Sequence, residues 1–500
     1  MDKSFSKNIH RIEGWANLKR TIPQKECLMN QRILANLGFL LQTAGLLTLL
    51  PISVGFIFNE TQELIPLFIT CVVFLCGGFM LNALCERKDL NLKSSSALLL
   101  LAFIILPLIG TIPYIATDPF SSPTITDRFT NSYFESVSGF TTTGFSFIAD
   151  TAAIPKCILV FRSLTELMGG VGIVFLILAF FQSKRGMPKL SGTLGIDNLN
   201  GNLKKMFASV LAIYSIIIIF FTAIFYLIGY TDLVSTGTFV IDTITGGFQP
   251  TGEQYTQYLF TIPKILLIAL MFLGSVNFAF NYHLITGKLK KLFSVEIGLF
   301  IAILAAASIV LVFIANIGLL DSLFHVMSMA STTGQSYINL LELNDYAIAI
   351  LIILTVIGGC TFSMAGGIKV ANLLTFGETV GHQIKMAFTK ASKRKKQTNG
   401  SSEGFLVVIS ILVFITVLVC FTLLFSTMGV SFRVSLFEVA SALSTNGITM
   451  GVTSAAMPLG YKWLMIIAMT IGRVEIVTIF LLLVPLTAKK LRAKNAKSSV

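Results

Sequence analysis

The chain has 500 residues, 54% of them apolar and only 12% charged, with a mean hydropathy of +0.82. An ordinary globular domain is roughly a quarter charged, so a chain this poor in charge cannot cover itself with a water-compatible surface, and a set of soluble domains is excluded. The net charge of +13 lies in short basic clusters between apolar runs and not on one face, which argues against a nucleic-acid partner. The seven cysteines form no CxxC pair, and all but Cys27 lie in or beside apolar segments, so they are expected to be buried small hydrophobes without metal or redox work. The first thirty residues are polar and basic with no apolar core, so a cleaved signal peptide is not expected.

In chain order, long apolar stretches recur near the roughly 20 residues needed to cross a bilayer. They predict ten spanning helices, at 33–58, 63–85, 95–117, 155–182, 206–230, 259–286, 294–319, 344–375, 404–429 and 460–487. Gly358-Gly359-Cys360 and Gly366-Gly367 interrupt 344–375, so that element is expected to be broken. Basic residues accumulate in cytoplasmic loops. Here they form clusters at Lys19/Arg20/Lys25, Arg87/Lys88/Lys93, Lys184/Arg185/Lys189/Lys204/Lys205, Lys288/Lys290/Lys291, Lys393–Lys396 and Lys489–Lys494. Every second inter-helix segment carries one, while the intervening segments hold Asp118, Asp127, Asp150, Asp232, Asp321 and Asp345. Ten spans with both termini cytoplasmic satisfy this pattern.

The outward segments of the last eight helices share a stretch too short to span that ends in hydroxyl residues and glycine. The first is Phe134-Glu135-Ser136-Val137-Ser138-Gly139-Phe140-Thr141-Thr142-Thr143-Gly144-Phe145, and the second Thr243-Ile244-Thr245-Gly246-Gly247-Phe248. The third runs from Phe324 to Ser331-Thr332-Thr333-Gly334-Gln335, and the fourth from Phe437-Glu438 to Ser444-Thr445-Asn446-Gly447-Ile448. Aligned on Gly144, Gly246, Gly334 and Gly447, the units recur roughly every 90–110 residues, an internal repeat. Three residues before each glycine stands a hydroxyl (Thr141, Thr243, Ser331, Ser444); nine before it stand Glu135, Gly237, His325 and Glu438. The second unit diverges most.

Four such loops in one register suit a cation path. An ion sheds its water only where oxygens replace it, as rings of backbone carbonyls do. Glycine lets successive carbonyls turn to one axis without steric cost, and non-helical backbone at membrane depth must line a cavity or be buried in protein. The short helix before each loop would aim its partly negative C-terminal end inward. Glu135 and Glu438 either draw cations to the mouth or anchor the pore helix, and intramembrane acids usually pair internally. An ion-coupled secondary transporter of another fold stays open, although its repeats are usually inverted or halved and these four share one orientation. The four histidines have no ligand spacing and no catalytic set converges, so no enzyme is expected.

At these residues the chain resembles the Trk/Ktr/HKT superfamily of potassium transporters, most closely the TrkH type, over about residues 33–488. The motifs are Phe134–Gly144, Arg162-Ser163-Leu164-Thr165 with Gly169–Ile173, Thr245–Phe248, Asn277-Phe278, Gly358–Lys369 and Gly472-Arg473-Val474-Glu475-Ile476. The resemblance implies an all-α polytopic membrane protein with four fused M1–P-loop–M2 units around a pseudo-fourfold pore, preceded by two extra transmembrane helices. The expected division is a tail at 1–32, the extra pair at 33–93, and units at 94–205, 206–291, 292–400 and 401–500. It further implies a potassium filter at Thr142, Thr143, Gly144, Ile244, Thr245, Gly246, Thr332, Thr333, Gly334, Thr445, Asn446 and Gly447. Gating would fall to an intramembrane loop with Gly358, Gly359, Gly366 and Gly367, and to Arg473, whose alternative role is a structural pair with Glu475 or a loop carbonyl. It implies potassium uptake at the cell membrane, a homodimer, no covalent cofactor, and a cytosolic TrkA-type regulatory subunit carrying the nucleotide (ATP/ADP or NAD). The chain departs from the family in its bulky Phe362 and Met364, where the loop is typically small and polar, and in Asn446, where the other units have Thr.

Overall fold

In the computed structural model the described residues are 31–85, 92–181, 203–230, 232–249, 260–388 and 401–474. They are helical, with no strand among them. Two helices come first, α1 (Gln31–Ile57) and α2 (Thr61–Leu84). A spanning helix, a short helix and a second spanning element then follow four times. Unit one is α3 (Leu92–Thr117), α4 (Ile125–Phe140) and α5 (Lys156–Phe181). Unit two is α6 (Leu203–Leu227), α7 (Leu233–Thr245), and α8 (Thr261–Ser275) with α9 (Phe278–Ile285). Unit three is α10 (Val295–Ala315), α11 (Leu319–Ala330), and α12 (Asp345–Ile357) with α13 (Val370–Phe388). Unit four is α14 (Ser401–Ser426), α15 (Phe432–Leu443) and α16 (Leu459–Val474). Among the described residues six helices are long and apolar enough to cross a membrane, and the bent pair α8–α9 makes a seventh candidate.

Length separates the two helix types. The short helices α4, α7, α11 and α15 have 16, 13, 12 and 12 residues, which at about 1.5 Å per residue cover roughly 18–24 Å, less than the ~30 Å hydrocarbon core. Side chains set three of their starts. Thr124 accepts from the Asp127 N–H, Asp232 from Val234 and Ser235, and Ser431 from Val434, the acceptors a helix N-terminus needs. The inner two thirds of α4, from Thr130 to Phe140, is wholly buried.

Two elements depart from the expected spans. The segment 259–286 is not one helix: α8 and α9 meet at a 116° bend. The first helix ends at Gly274-Ser275, whose carbonyls accept from Met364 and Cys360 elsewhere in the chain. The element 344–375 breaks as expected, but its second helix runs on to Phe388. Cys76 and Cys420, expected to be buried, lie exposed on the outer surface of the bundle, whereas Cys71, Cys157 and Cys360 are buried. Lys288, Lys290 and Lys291 are exposed beside α9. The basic residues at 19–25, 87–88, 184–189, 393–396 and 489–494 lie outside the described residues, as do Cys27 and Glu475.

Small residues let the short helices sink between the spanning ones, the usual packing device in lipid. A Cβ on Gly169 would lie 1.9 Å from the Phe140 carbonyl oxygen, one on Gly274 2.2 Å from that of Ile244, and one on Gly472 2.1 Å from that of Leu443. Glycine is therefore required where α5, α8 and α16 pass behind the ends of α4, α7 and α15. Gly472→Ala should cost about 1–3 kcal/mol through overpacking, whereas Gly460→Ala, with nothing within 4 Å, should be neutral. Thermal unfolding of the detergent-solubilised protein tests this, and equal melting temperatures for the two variants would refute it.

Candidate functional site: a closed ring of four re-entrant segments

The segment after each short helix packs against the next unit in cyclic order. A Cβ on Gly144 would meet Gly247 backbone at 2.2 Å, and one on Gly246 the Thr332 oxygen at 2.7 Å. One on Gly334 would meet the Asn446 oxygen at 1.8 Å, and one on Gly447 the Thr143 oxygen at 1.8 Å. The chain of contacts runs from unit one through two, three and four and back to one. All four glycines take the left-handed conformation, with φ of 81°, 80°, 72° and 77°, which glycine adopts without steric cost. Carbonyl oxygens therefore crowd the contacts between units where a side chain would otherwise stand.

A second ring lies where the short helices begin. The Lys156 ammonium is 3.0 Å from Asp232, Lys264 is 2.6 Å from Asp321, and Arg433 is 2.7 Å from Asp345. Lys462 closes the circle by donating to the Asn131 side chain at 2.8 Å. Each tie joins the start of one unit's second spanning helix to the next unit's short helix. Burial raises the Asp232 carboxyl, but hydrogen bonds from Lys156 and Ser235 outweigh it and hold the group below its ordinary value.

Units one, three and four end their short helices identically. Thr142, Thr332 and Thr445 are left-handed, with φ of 53–55°, and the next N–H reaches back five residues. Thr143 donates to the Ser138 oxygen, Thr333 to Ser328 and Asn446 to Ser441, at 2.8, 3.0 and 2.8 Å. This is a Schellman-type ending. In unit two the left-handed residue is Gly246 itself, and the five-residue bond runs from Gly247 to Asp242 at 3.0 Å. Ile244, against Gly274, occupies the place of Phe140 and Leu443. The geometry thus sets Gly246 at the position of Thr142, Thr332 and Thr445, two residues from where the sequence spacing aligned it. Ile244 and Thr245, expected in the loop, are the last two residues of α7. Phe248 thus stands at the position of Gly144, so alignment on a glycine misplaces unit two and only the neighbouring units fix the register.

The acids behind the ring anchor it. Glu135 is fully buried, accepts from Ser146 at 2.9 Å and the Phe147 N–H at 3.1 Å, and pairs with Arg162 at 2.9 Å. Glu438, also fully buried, accepts from Thr449, the Met450 N–H and Thr453 at 2.6, 2.8 and 2.6 Å. In this register unit two has Phe239 at that position, not the Gly237 of the sequence alignment. Its anchor comes from α5 instead: Glu166 accepts from Thr245 at 3.2 Å and the Phe248 N–H at 2.8 Å. The Arg162 guanidinium lies 3.4 Å over the Phe248 ring. Sequence reasoning missed Glu166, although an acid in an apolar helix was a usable signal.

The interrupted element of unit three lies against this ring. Gly366 donates its N–H to the Thr332 hydroxyl at 2.8 Å, and a Cβ on it would lie 2.0 Å from the Ser444 oxygen. Gly358 and Gly367 are left-handed, with φ of 71° and 77°, and a Cβ on Gly358 would lie 2.1 Å from the Gly366 oxygen. A Cβ on Gly359 would lie 2.8 Å from the Ser275 oxygen. The loop is stitched to the bend of unit two, with Cys360 N–H on the Ser275 oxygen, Met364 N–H on Gly274 and Phe278 N–H on Phe362, at 2.8, 3.1 and 3.0 Å. Glu296, at the start of α10, accepts from the Thr361 N–H at 2.6 Å and its hydroxyl at 3.0 Å, a further residue that spacing did not reveal. Arg473 is buried and donates to the Met364 carbonyl at 2.9 Å and the Gly169 carbonyl at 3.2 Å. It bridges loop and α5, so the expected loop carbonyl is one of its partners, while Glu475 lies outside the described residues.

These features define an all-α polytopic membrane protein in which four re-entrant segments enclose one axis. The family described as "Cation transport protein" (TrkH) matches residues 288–491. A protein described as an uncharacterized cation transporter from Methanocaldococcus jannaschii is 28% identical over 92% of this chain and 96% of its own. The Trk system potassium uptake protein TrkG of Escherichia coli is 26% identical over 89% of this chain and 96% of its own. The crystal structure of the potassium transporter TrkH from Vibrio parahaemolyticus superposes with a TM-score of 0.75 at 22% identity, covering 91% of this chain and 98% of that one. Residues 288–491 thus match the TrkH family of cation transport proteins, and the chain as a whole is similar to Trk-system transport proteins.

Removing one partner of a buried ion pair leaves an uncompensated charge and costs about 3–5 kcal/mol, whereas an exposed pair is worth about 0–1. Glu135→Ala should therefore lower thermal stability far more than Arg433→Ala, whose partner Asp345 is 81% exposed. Equal shifts in calorimetry would contradict the anchoring role of Glu135.

Proposed function

We propose that this protein takes up potassium across the cell membrane through the four-segment ring, which acts as its selectivity filter. The observation that carries the reading is the cyclic contact of Gly144, Gly246, Gly334 and Gly447 with the next unit's backbone. Four curled backbones meeting around one axis offer oxygens in place of the hydration shell. The C-terminal ends of α4, α7, α11 and α15 point their partial negative charge at it. The printed names of the E. coli and V. parahaemolyticus relatives, potassium uptake protein and potassium transporter, agree. In this reading the filter residues are Thr142, Thr143 and Gly144; Gly246 and Gly247, with Ile244 and Thr245 at the helix end; Thr332, Thr333 and Gly334; and Thr445, Asn446 and Gly447.

The loop 358–367 and Arg473 form the gate. The loop's contact with Thr332 and the Ser444 carbonyl obstructs the path on one side of the filter. Arg473 holds it there and sets a permanent positive charge beside the path. Both termini lie in the cytoplasm, in accord with the basic clusters. In this reading the protein works as a homodimer with a cytosolic TrkA-type nucleotide-binding subunit; the relatives' names place those proteins in a Trk system. The units span 94–205, 206–291, 292–400 and 401–500, after the helix pair at 33–93.

Gly144→Ser and Gly447→Ser should each lower the rubidium-to-sodium tracer flux ratio in proteoliposomes about tenfold, equivalent to about 1.4 kcal/mol of discrimination. An unchanged ratio would overturn the filter reading. Arg473→Ala frees the Met364 and Gly169 carbonyls and should raise rubidium flux several-fold; a folded variant with wild-type flux would leave the arginine a packing role.

A further inference from the structure

The fourth filter segment is held differently from the first and third. In those two, the residue before the filter glycine pairs its hydroxyl with the one two positions earlier, Thr143 with Thr141 at 2.7 Å and Thr333 with Ser331 at 2.8 Å. Asn446 makes no such bond, and the Ser444 hydroxyl has no hydrogen-bond partner. The Asn446 amide instead crosses into unit three. Its Nδ2 donates to Thr355 Oγ1 at 3.1 Å and lies 3.3 Å from Met329 Sδ. The Thr355 hydroxyl points at the same sulfur at 3.5 Å. Asn446 is fully buried and Thr355 is 2% exposed, so water cannot replace the bond, and a lost partner leaves a buried donor unsatisfied. Thr355 sits on α12 three residues before Gly358, where the loop begins, and the Asn446 carbonyl is the one packed against Gly334.

We propose that Thr355 is a positioning residue for ion selection: its hydroxyl holds the Asn446 amide and so places the Asn446 carbonyl in the ring. The proposal rests on the filter reading above. It assigns to a residue behind the filter the part that Thr141 and Ser331 play within units one and three. It also explains how an asparagine is accommodated there, since its longer side chain reaches a partner that a threonine would miss.

The test measures the rubidium-to-sodium flux ratio in proteoliposomes for Thr355→Val, Thr355→Ser, Asn446→Thr and the double variant Asn446→Thr/Thr355→Val. Valine keeps the shape of threonine and removes the hydroxyl. It should lower the ratio about tenfold, while Thr355→Ser keeps the wild-type ratio. In the Asn446→Thr background no amide remains to be held, so adding Thr355→Val should change the ratio less than about twofold, a non-additivity that direct contact requires. A wild-type ratio in Thr355→Val would overturn the proposal. So would a loss in Thr355→Ser as large as in Thr355→Val, or the same tenfold loss in the Asn446→Thr background, since either marks a packing effect. If Thr355→Val does not accumulate in the membrane, Thr355→Ala carries the same expectations. Gly447→Ser separates the two readings: if it lowers the ratio and Thr355→Val does not, the positioning role alone fails, whereas an unchanged ratio in Gly447→Ser removes the filter itself.

Discussion

A backbone amide inside a bilayer has no water to bond, and each unsatisfied group costs several kcal/mol. Four loops that leave the helical state at membrane depth can persist only if protein surrounds them. Most features of this fold answer that demand. Each re-entrant segment is closed by its own short helix through the five-residue bond after Thr142, Gly246, Thr332 or Thr445. Each is packed against the next unit, and those of units one, two and four are also held by a buried acid, Glu135, Glu166 or Glu438. In unit three the packing of His325 on Tyr337, with ring centroids 4.6 Å apart, occupies the corresponding place.

The same demand explains why two spanning elements break together. The bend at Ser275–Asn277 exposes the carbonyls of Gly274 and Ser275, and the loop at 358–369 exposes the N–H groups of Cys360 and Met364. Each set satisfies the other. Each break leaves groups that the other satisfies, so the bend in unit two and the loop in unit three form one structural device, pinned by Glu296 of α10 and by Arg473 of the neighbouring unit four. Movement of the loop must therefore disturb α9, which carries the exposed basic turn at Lys288–Lys291. This connects the proposed gate with a surface away from the ring.

Much of this was legible in the sequence. Apolar run lengths gave the helix order, and the recurrence of hydroxyl and glycine gave the four-unit plan, because both reflect local requirements: the thickness of lipid and the backbone angles of a curled loop. The unseen parts depend on partners far away in the chain. Gly246-Gly247 drew the alignment onto a glycine, and only the packing of Ile244 on Gly274 and of Gly144 on Gly247 puts Phe248 at the place of Gly144. The bend after Ser275 has only the Gly274-Ser275 pair to announce it, and the groups that hold it open lie more than eighty residues later in the loop. Glu166 stood out as an acid in an apolar helix, but its anchoring role, like that of Thr355, needed its partner, Phe248 or Asn446, in place.

In the proposed filter the four segments jointly coordinate a cation on their shared axis. Anomalous diffraction from crystals of the protein grown in rubidium is the sharpest check. Rubidium peaks should lie on the axis, in contact with oxygens from all four units at the level of Thr143, Gly247, Thr333 and Asn446. An empty axis with rubidium bound elsewhere, or a peak held by one unit alone, would contradict it.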